Sequence, residues 1–297
     1  MITNLFKGTG VALVTPFTRK GELDSNSLEK IVAHVITGGV NYLVALGTTA
    51  ETPVLSKEEK KQIIRTILNV NNGKLPVVLG KGGNNTLELV SDIKSTDYEG
   101  IDAILSVTPW YNKPNQEGIY QHFAKVAEAS PVPVILYNVP GRTSSNISSA
   151  TCIRLANDFQ GKIIGIKEAS GDMKQIMEIL SGKPNGFDVI SGDDAISLAL
   201  VALGGSGVIS VIANAFPKEF SSMVNFALEG KLEEARKLHY PLLPVIDALF
   251  AEGNPAGVKA FMALQNLLEN QLRLPLVTVS DGLFSKIEQM HEKIMNA

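Results

Sequence analysis

The 297-residue chain is predicted to fold as a closed (β/α)8 barrel, residues 1–230, followed by a C-terminal helical extension, residues 231–297. Three observations predict it. Short apolar, β-branched runs alternate with helix-like segments until Gly230. Several of these runs are apolar almost throughout, as strands covered on both faces of a parallel sheet must be. An open doubly wound sheet would carry a glycine-rich phosphate loop after its first strand, whereas Val11–Thr15 leads into Pro16-Phe17-Thr18.

In chain order the predicted strands are Val11–Thr15, Tyr42–Leu46, Pro76–Leu79, Ala103–Val107, Val132–Tyr137, Ile163–Ile166, Phe187–Ile190 and Val208–Ile212. Their onsets recur at roughly 20–35 residues, the length of a strand-plus-helix unit. Helix signals fill the gaps. Ser56-Lys57-Glu58-Glu59 reads as a capping box ahead of Gln62–Leu68, because hydroxyl and carboxylate satisfy each other's orphan amides. Asp172-Met173-Lys174-Gln175 reads as the same device ahead of Ile176–Leu180. Pro217 opens the helix after the eighth run and Gly230 stops it. Beyond it, Leu232–Glu252, Ala256–Asn270 and Ser280–Asn296 read as helices, broken at Asn254-Pro255 and Leu274-Pro275.

Composition narrows the function. A barrel of this kind takes about 250 residues, so the length suffices. Lys plus Arg number 27 against 30 for Asp plus Glu, a formal charge of −3, which supplies no basic stripe for nucleic acid and no polybasic membrane patch. No run is apolar enough to span a bilayer and the opening Met1–Lys7 has no signal-peptide core, so the expectation is a cytoplasmic protein. Cys152 is the only cysteine and is read as a core residue, which rules out an intrachain disulfide and fits a reducing compartment. The histidines, His34, His122, His239 and His291, lack metal-ligand spacing, so no metal is expected.

The chemistry gathers at the carboxyl ends of the predicted strands, the face on which barrel enzymes carry their sites. The sixth run, Ile163-Ile164-Gly165-Ile166, ends in Lys167. A lysine held in apolar surroundings gives up its proton more readily, and a free amine attacks a ketone to form a Schiff base. The second run ends in Gly47-Thr48-Thr49-Ala50-Glu51, a turn whose amides and hydroxyls suit a small carboxylate. The fourth and fifth runs end in Thr108-Pro109-Trp110-Tyr111-Asn112 and Tyr137-Asn138-Val139-Pro140-Gly141-Arg142. They supply two phenols able to relay protons and a planar guanidinium suited to a carboxylate. Gly192, in Ser191-Gly192-Asp193-Asp194, lets backbone approach a ligand, and Ile209 lies in the eighth run at the site floor. An amine, phenols, paired hydroxyls and a guanidinium fit carbonyl chemistry on a small acid through an imine.

These five motifs, in this order, resemble the dihydrodipicolinate synthase family along essentially the whole chain. That family belongs to the pyruvate-dependent class I aldolases, which include N-acetylneuraminate lyase. The resemblance implies a lyase that condenses pyruvate with L-aspartate 4-semialdehyde to 4-hydroxy-tetrahydrodipicolinate, on the route to diaminopimelate and lysine. It implies that Lys167 forms the Schiff base and Tyr137 moves protons, with Thr48 linking Tyr137 to Tyr111 of a neighbouring subunit. It implies that Thr49 and Ile209 hold pyruvate and Arg142 the semialdehyde carboxylate. No cofactor beyond the covalent imine is implied, and the assembly is a dimer paired into a homotetramer. Another pyruvate-dependent aldolase, such as a sialic acid or keto-deoxy sugar acid lyase, is the alternative. The Thr48-Thr49 pair and Arg142 favour the synthase branch. Ala50 departs from the usual glycine, and Trp110 stands where many bacterial relatives have tyrosine. The positions matching the family's lysine effector site are Thr52, Pro53, Lys57, Lys60, Asn84, Glu88 and Trp110. Lys57 and Lys60 replace frequent histidines there and would repel a cationic effector.

Overall fold

The structure is a computed structural model that describes residues 5–295. Its centre is a closed barrel of β1 (Gly8–Ala12), β2 (Tyr42–Ala45), β3 (Val77–Gly80), β4 (Ala103–Val107), β5 (Val134–Asn138), β6 (Ile163–Glu168), β7 (Asp188–Ser191) and β8 (Gly207–Ser210). Each strand pairs in parallel with the next, and β8 closes on β1 through Gly8↔Gly207 to Val11↔Ser210. The surrounding helices are α1 (Ser25–Thr37), α2 (Lys57–Asn71), α3 (Thr86–Ser95), α4 (Gln116–Ala129), the single-turn α5 (Pro140–Thr143), α6 (Ser149–Asp158), α7 (Met173–Gly182), α8 (Ser197–Ala202) and α9 (Pro217–Leu228). The chain continues in α10 (Leu232–Phe250), α11 (Ala256–Leu264) and α12 (Asp281–Met295). Met1–Asn4 and the predicted helix end at Asn296 lie outside the described residues.

The strands divide two cores by alternation. Val11, Leu43, Ile104, Leu136, Ile166 and Val208 face the helices in the larger one. Ala12, Tyr42, Val44, Leu105, Ile135, Ile190 and Ile209 fill the barrel interior. Tyr42 plugs the interior, with Phe6 edge-on at 5.4 Å between ring centroids. Gly10 makes room for it: a Cβ there would stand 2.1 Å from Tyr42 Cε2.

Most predicted strand bounds shift, and at the first and eighth strands the physical cause is visible. The first is Gly8–Ala12 rather than Val11–Thr15: Gly8 and Gly10 are poor strand formers by propensity, but a Cβ on Gly8 would meet Asn41 Oδ1 at 2.2 Å and one on Gly10 would meet the Tyr42 ring, so close packing there requires glycine. The eighth ends at Ser210 rather than Ile212, where the amides of Val211 and Ile212 turn aside to the Asp194 carboxylate at 3.0 and 2.9 Å. The capping box at Ser56 is complete, with the Glu59 amide donating to Ser56 Oγ and the Ser56 amide to Glu59 Oε2. At Asp172 only half of it forms. Asp172 accepts from the amides of Lys174 and Gln175, but the Gln175 side chain turns inward to Glu168. The predicted helix over Ala256–Asn270 stops at Leu264, ahead of Asn266 in the left-handed region at φ 58°. Pro241 and Pro244 lie inside α10 without ending it, as packing along α9 overrides their low propensity.

Candidate active site

A cavity of about 530 Å³ opens at the carboxyl ends of the strands. Its base carries Lys167, in β6 between Tyr137 of β5 and Ile190 of β7. A β-bulge decides that this side chain points inward. Val134 pairs with Ile163 and Ile135 with Gly165, so Ile164 is an extra residue. Ile163 and Ile166 both lie in the outer core, an odd separation that an unbroken strand does not allow. Past the bulge Ile166 faces out and Lys167 in. The lysine is 5% exposed, with Nζ 4.3 Å from the centroid of the Tyr137 ring. Among the described residues it makes no salt bridge, and Val139, Ala169 and Val211 line the wall beside it. An amine without a carboxylate, in a mostly apolar cleft, is what imine formation asks for.

Thr48 and Thr49 lie on a tight turn between two residues in the left-handed region, Leu46 at φ 53° and Glu51 at φ 54°. Non-glycine residues seldom adopt that conformation, so the surroundings must hold it. Thr52 Oγ1 donates to the Gly47 carbonyl at 2.9 Å and Thr15 Oγ1 to that of Ala50 at 2.8 Å. Ala50 itself has no positive φ, so the missing glycine costs nothing here. Thr48 is exposed to the cavity, whereas Thr49 is buried and accepts a 3.0 Å hydrogen bond from Asn254 Nδ2. With its oxygen engaged as acceptor, the Thr49 hydroxyl keeps its proton for an anion.

Arg142 stands on α5 at the cavity wall, and its guanidinium has no hydrogen-bonded or ionic partner among the described residues. The turn beneath it is fixed by Thr143, whose Oγ1 donates to the Ser145 carbonyl at 2.9 Å. Gly192 lines the cavity directly over the lysine stem: a Cβ there would meet Lys167 Cε at 2.9 Å. Two residues do not reach this cavity. Ile209 is buried in the barrel interior and Val211 takes its place in the wall. Tyr111 has a backbone φ of 77° and a side chain left 87% exposed.

Residues 5–294 match the profile of the dihydrodipicolinate synthetase family. The 4-hydroxy-tetrahydrodipicolinate synthase of Flavobacterium psychrophilum is 56% identical over 283 residues, 95% of this chain and 96% of that one. The chain belongs to the dihydrodipicolinate synthetase family. Among solved structures, the dihydrodipicolinate synthase of Thermotoga maritima superposes with a TM-score of 0.94 at 39% identity, covering 97% of this chain and 98% of its own. The chloride-inhibited enzyme of Acinetobacter baumannii, solved with pyruvate, gives 0.93 at 39% identity over 97% and 98% of the two chains.

Several groups of this family member escape motif reading. Asn254 lies at the α10–α11 junction, far from Thr49 in sequence, and no short pattern ties the two. Ile246, Asp247 and Phe250 of α10 overhang the cavity, so the C-terminal segment forms part of its wall. Asp194 is wholly buried, and burial, opposed by the Val211 and Ile212 amides, pushes its carboxyl up to about 6. It fastens the exit of β8 to that of β7. Glu168 turns to the opposite face from Lys167 and accepts from Asn138 Nδ2, Gln175 Nε2 and the Ser170 amide at 2.8–3.1 Å. Cys152 is buried, and desolvation pushes its thiol far above the ordinary range, so it is a packing residue. Among the described residues no cluster of His, Cys, Asp or Glu is arranged to hold a metal ion, and no helix is long and apolar enough to cross a membrane.

Proposed function

We propose that this chain condenses pyruvate with L-aspartate 4-semialdehyde to 4-hydroxy-tetrahydrodipicolinate, in diaminopimelate and lysine biosynthesis. The observation that carries the reading is the inward-facing Lys167 amine, without a carboxylate partner among the described residues and stacked against Tyr137 at the cavity base. Lys167 Nζ adds to the keto carbon of pyruvate, and loss of water leaves an imine. That imine draws electrons from the methyl group, which gives up a proton and becomes the nucleophilic carbon of an enamine. The carbon attacks the aldehyde, a C–C bond forms, and the aldehyde oxygen takes a proton. The substrate's own amine then displaces Lys167 as the ring closes. The imine serves as electron sink, so the sequence of steps calls on no other cofactor.

Tyr137 passes these protons; its ring, which lies against the amine in the cavity wall, supports that role. Thr49, with its hydroxyl proton free, and Thr48 suit the pyruvate carboxylate. The unpaired Arg142 suits the carboxylate of the semialdehyde and distinguishes this reading from a sialic acid lyase. Tyr111, strained and exposed beside the exposed Trp110, suits insertion into a neighbouring copy, where Thr48 would link it to Tyr137. The functional unit is then a dimer, paired into a tetramer. Ile209 packs the barrel interior and does not touch this cavity, so the wall contact is left to Val211. The compartment is the cytoplasm, in keeping with one buried, unpaired cysteine. A coupled assay with pyruvate and aspartate semialdehyde, run beside N-acetylneuraminate cleavage, tests the reading. Turnover is expected only in the first, and turnover only in the second overturns it.

A further inference from the structure

The turn that carries Thr48 and Thr49 is gripped from an unexpected direction. Glu51, the residue in the left-handed region that ends it, is 2% exposed, and both of its carboxylate oxygens are taken. Oε1 accepts from Lys259 Nζ of α11 and Oε2 from the Arg273 amide at 3.1 Å. Lys259 is itself fully buried. Its ammonium also donates to the Gln271 carbonyl at 2.9 Å and lies 4.4 Å from the centroid of the Phe17 ring. Five residues earlier on the same segment, Asn254 donates to Thr49. The C-terminal segment therefore holds the turn at two points, one on each side of Ala50.

A buried ion pair is a poor device for stability alone. Removing two charges from water is costly, and a well-packed apolar pair often does as well or better. What such a pair supplies is direction. Lys259 has a fixed seat among Glu51, Gln271 and Phe17, so it fixes where the Glu51 backbone sits, and Thr48 and Thr49 lie three and two residues before it. We propose that Lys259 is a positioning residue for the keto-acid site. Acting through Glu51, it holds the Thr48 and Thr49 hydroxyls at the depth that the carboxylate of a small 2-keto acid requires. The inference rests on the reading of those hydroxyls as the pyruvate cradle.

The test uses the full-length protein, with pyruvate trapped on Lys167 by borohydride and read by mass. Lys259→Met is expected to raise the pyruvate concentration for half-maximal trapping by about ten-fold or more, since displacement of about 1 Å at a binding group has effects of that order or larger. The mass added at saturating pyruvate and the KM for aspartate semialdehyde are expected to stay within about two-fold of the unaltered protein. Lys259→Met leaves Glu51 buried and unpaired, so the double variant Glu51→Gln/Lys259→Met is made beside it. The double variant is expected to melt closer to the unaltered protein while keeping the raised half-saturation. Phe261→Leu, a packing change in the same helix, is expected to lower the melting temperature and leave half-saturation alone. Unchanged half-saturation in both Lys259 variants, or an equal rise in Phe261→Leu, overturns the proposal. Failure of the unaltered protein to take up any pyruvate-derived mass defeats instead the reading of the site, and this proposal with it.

Discussion

Gly192→Ala tests whether the lysine acts from the position the structure gives it. The φ at Gly192 is not in the left-handed region, so alanine is acceptable to the backbone, and the effect is one of space. The added Cβ would lie 2.6 Å from Ala169 Cβ, 2.9 Å from Lys167 Cε and 3.1 Å from Lys167 Cγ. Carbon atoms in ordinary contact stand about 3.5–4.0 Å apart, so the neighbours must retreat by roughly 1 Å. Ala169 has no rotamer with which to do so, which leaves the lysine stem to move. Overpacking of this kind costs about 1–3 kcal/mol of stability. A displacement of about 1 Å at a reacting atom costs on the order of 100-fold in rate. Gly192→Ala is therefore expected to stay folded, melt a few degrees lower, and form the borohydride-trapped adduct with pyruvate on the order of 100-fold more slowly. Stopped-time trapping read by mass, beside a thermal melt, measures both. A folded variant that traps at a rate within about two-fold of the unaltered protein would refute the reasoning.

Four further outcomes are expected. Arg142→Ala should lower kcat/KM for aspartate semialdehyde by about 100-fold while pyruvate trapping persists, and unchanged turnover would return the chain to the sugar-acid lyases. Lys167→Ala and Tyr111→Ala should each be inactive alone yet regain activity when refolded together, because a mixed dimer holds one site with both residues; no recovery at any mixing ratio argues against the exchanged tyrosine. The hydrogen bond and charge of Arg273 hold the Glu59 carboxyl down at about 2, opposed by its partial burial. This depressed acid stabilises the fold above its ordinary value of 4.5, and the contribution is lost as pH falls through about 2. Allowing for solvent around a pair whose side chains are 21% and 23% exposed, about 1–2 kcal/mol is at stake. Glu59→Gln should flatten the acid limb of a stability profile, and identical limbs would contradict the assignment. Millimolar lysine should leave turnover nearly unchanged, since Lys57 and Lys60 place ammonium groups where a cationic effector would bind; strong inhibition in steady-state assays would show otherwise.

The barrel was legible because strands buried on both faces must be apolar, and that requirement writes itself locally as runs such as Ala103–Val107 and Tyr42–Ala45. The chemical inventory was legible for a similar reason. Lys167, Arg142 and the threonine pair follow apolar runs, where a parallel barrel must put its polar ends. Three-dimensional pairing settled what local pattern leaves open. The run Ile163-Ile164-Gly165-Ile166 does not disclose its own parity. Only the register against β5, with its extra residue at Ile164, turns Lys167 inward and Glu168 outward. Gly8 and Gly10 look like poor strand residues until Asn41 and Tyr42 are seen against them. Asn254 and Lys259 carry no signal by spacing, because their partners Thr49 and Glu51 lie about 200 residues away in the chain. Local sequence determines which residues can form a strand or carry a charge. The closure of the ring, and the return of the C-terminal segment across its mouth, decide which of them meet.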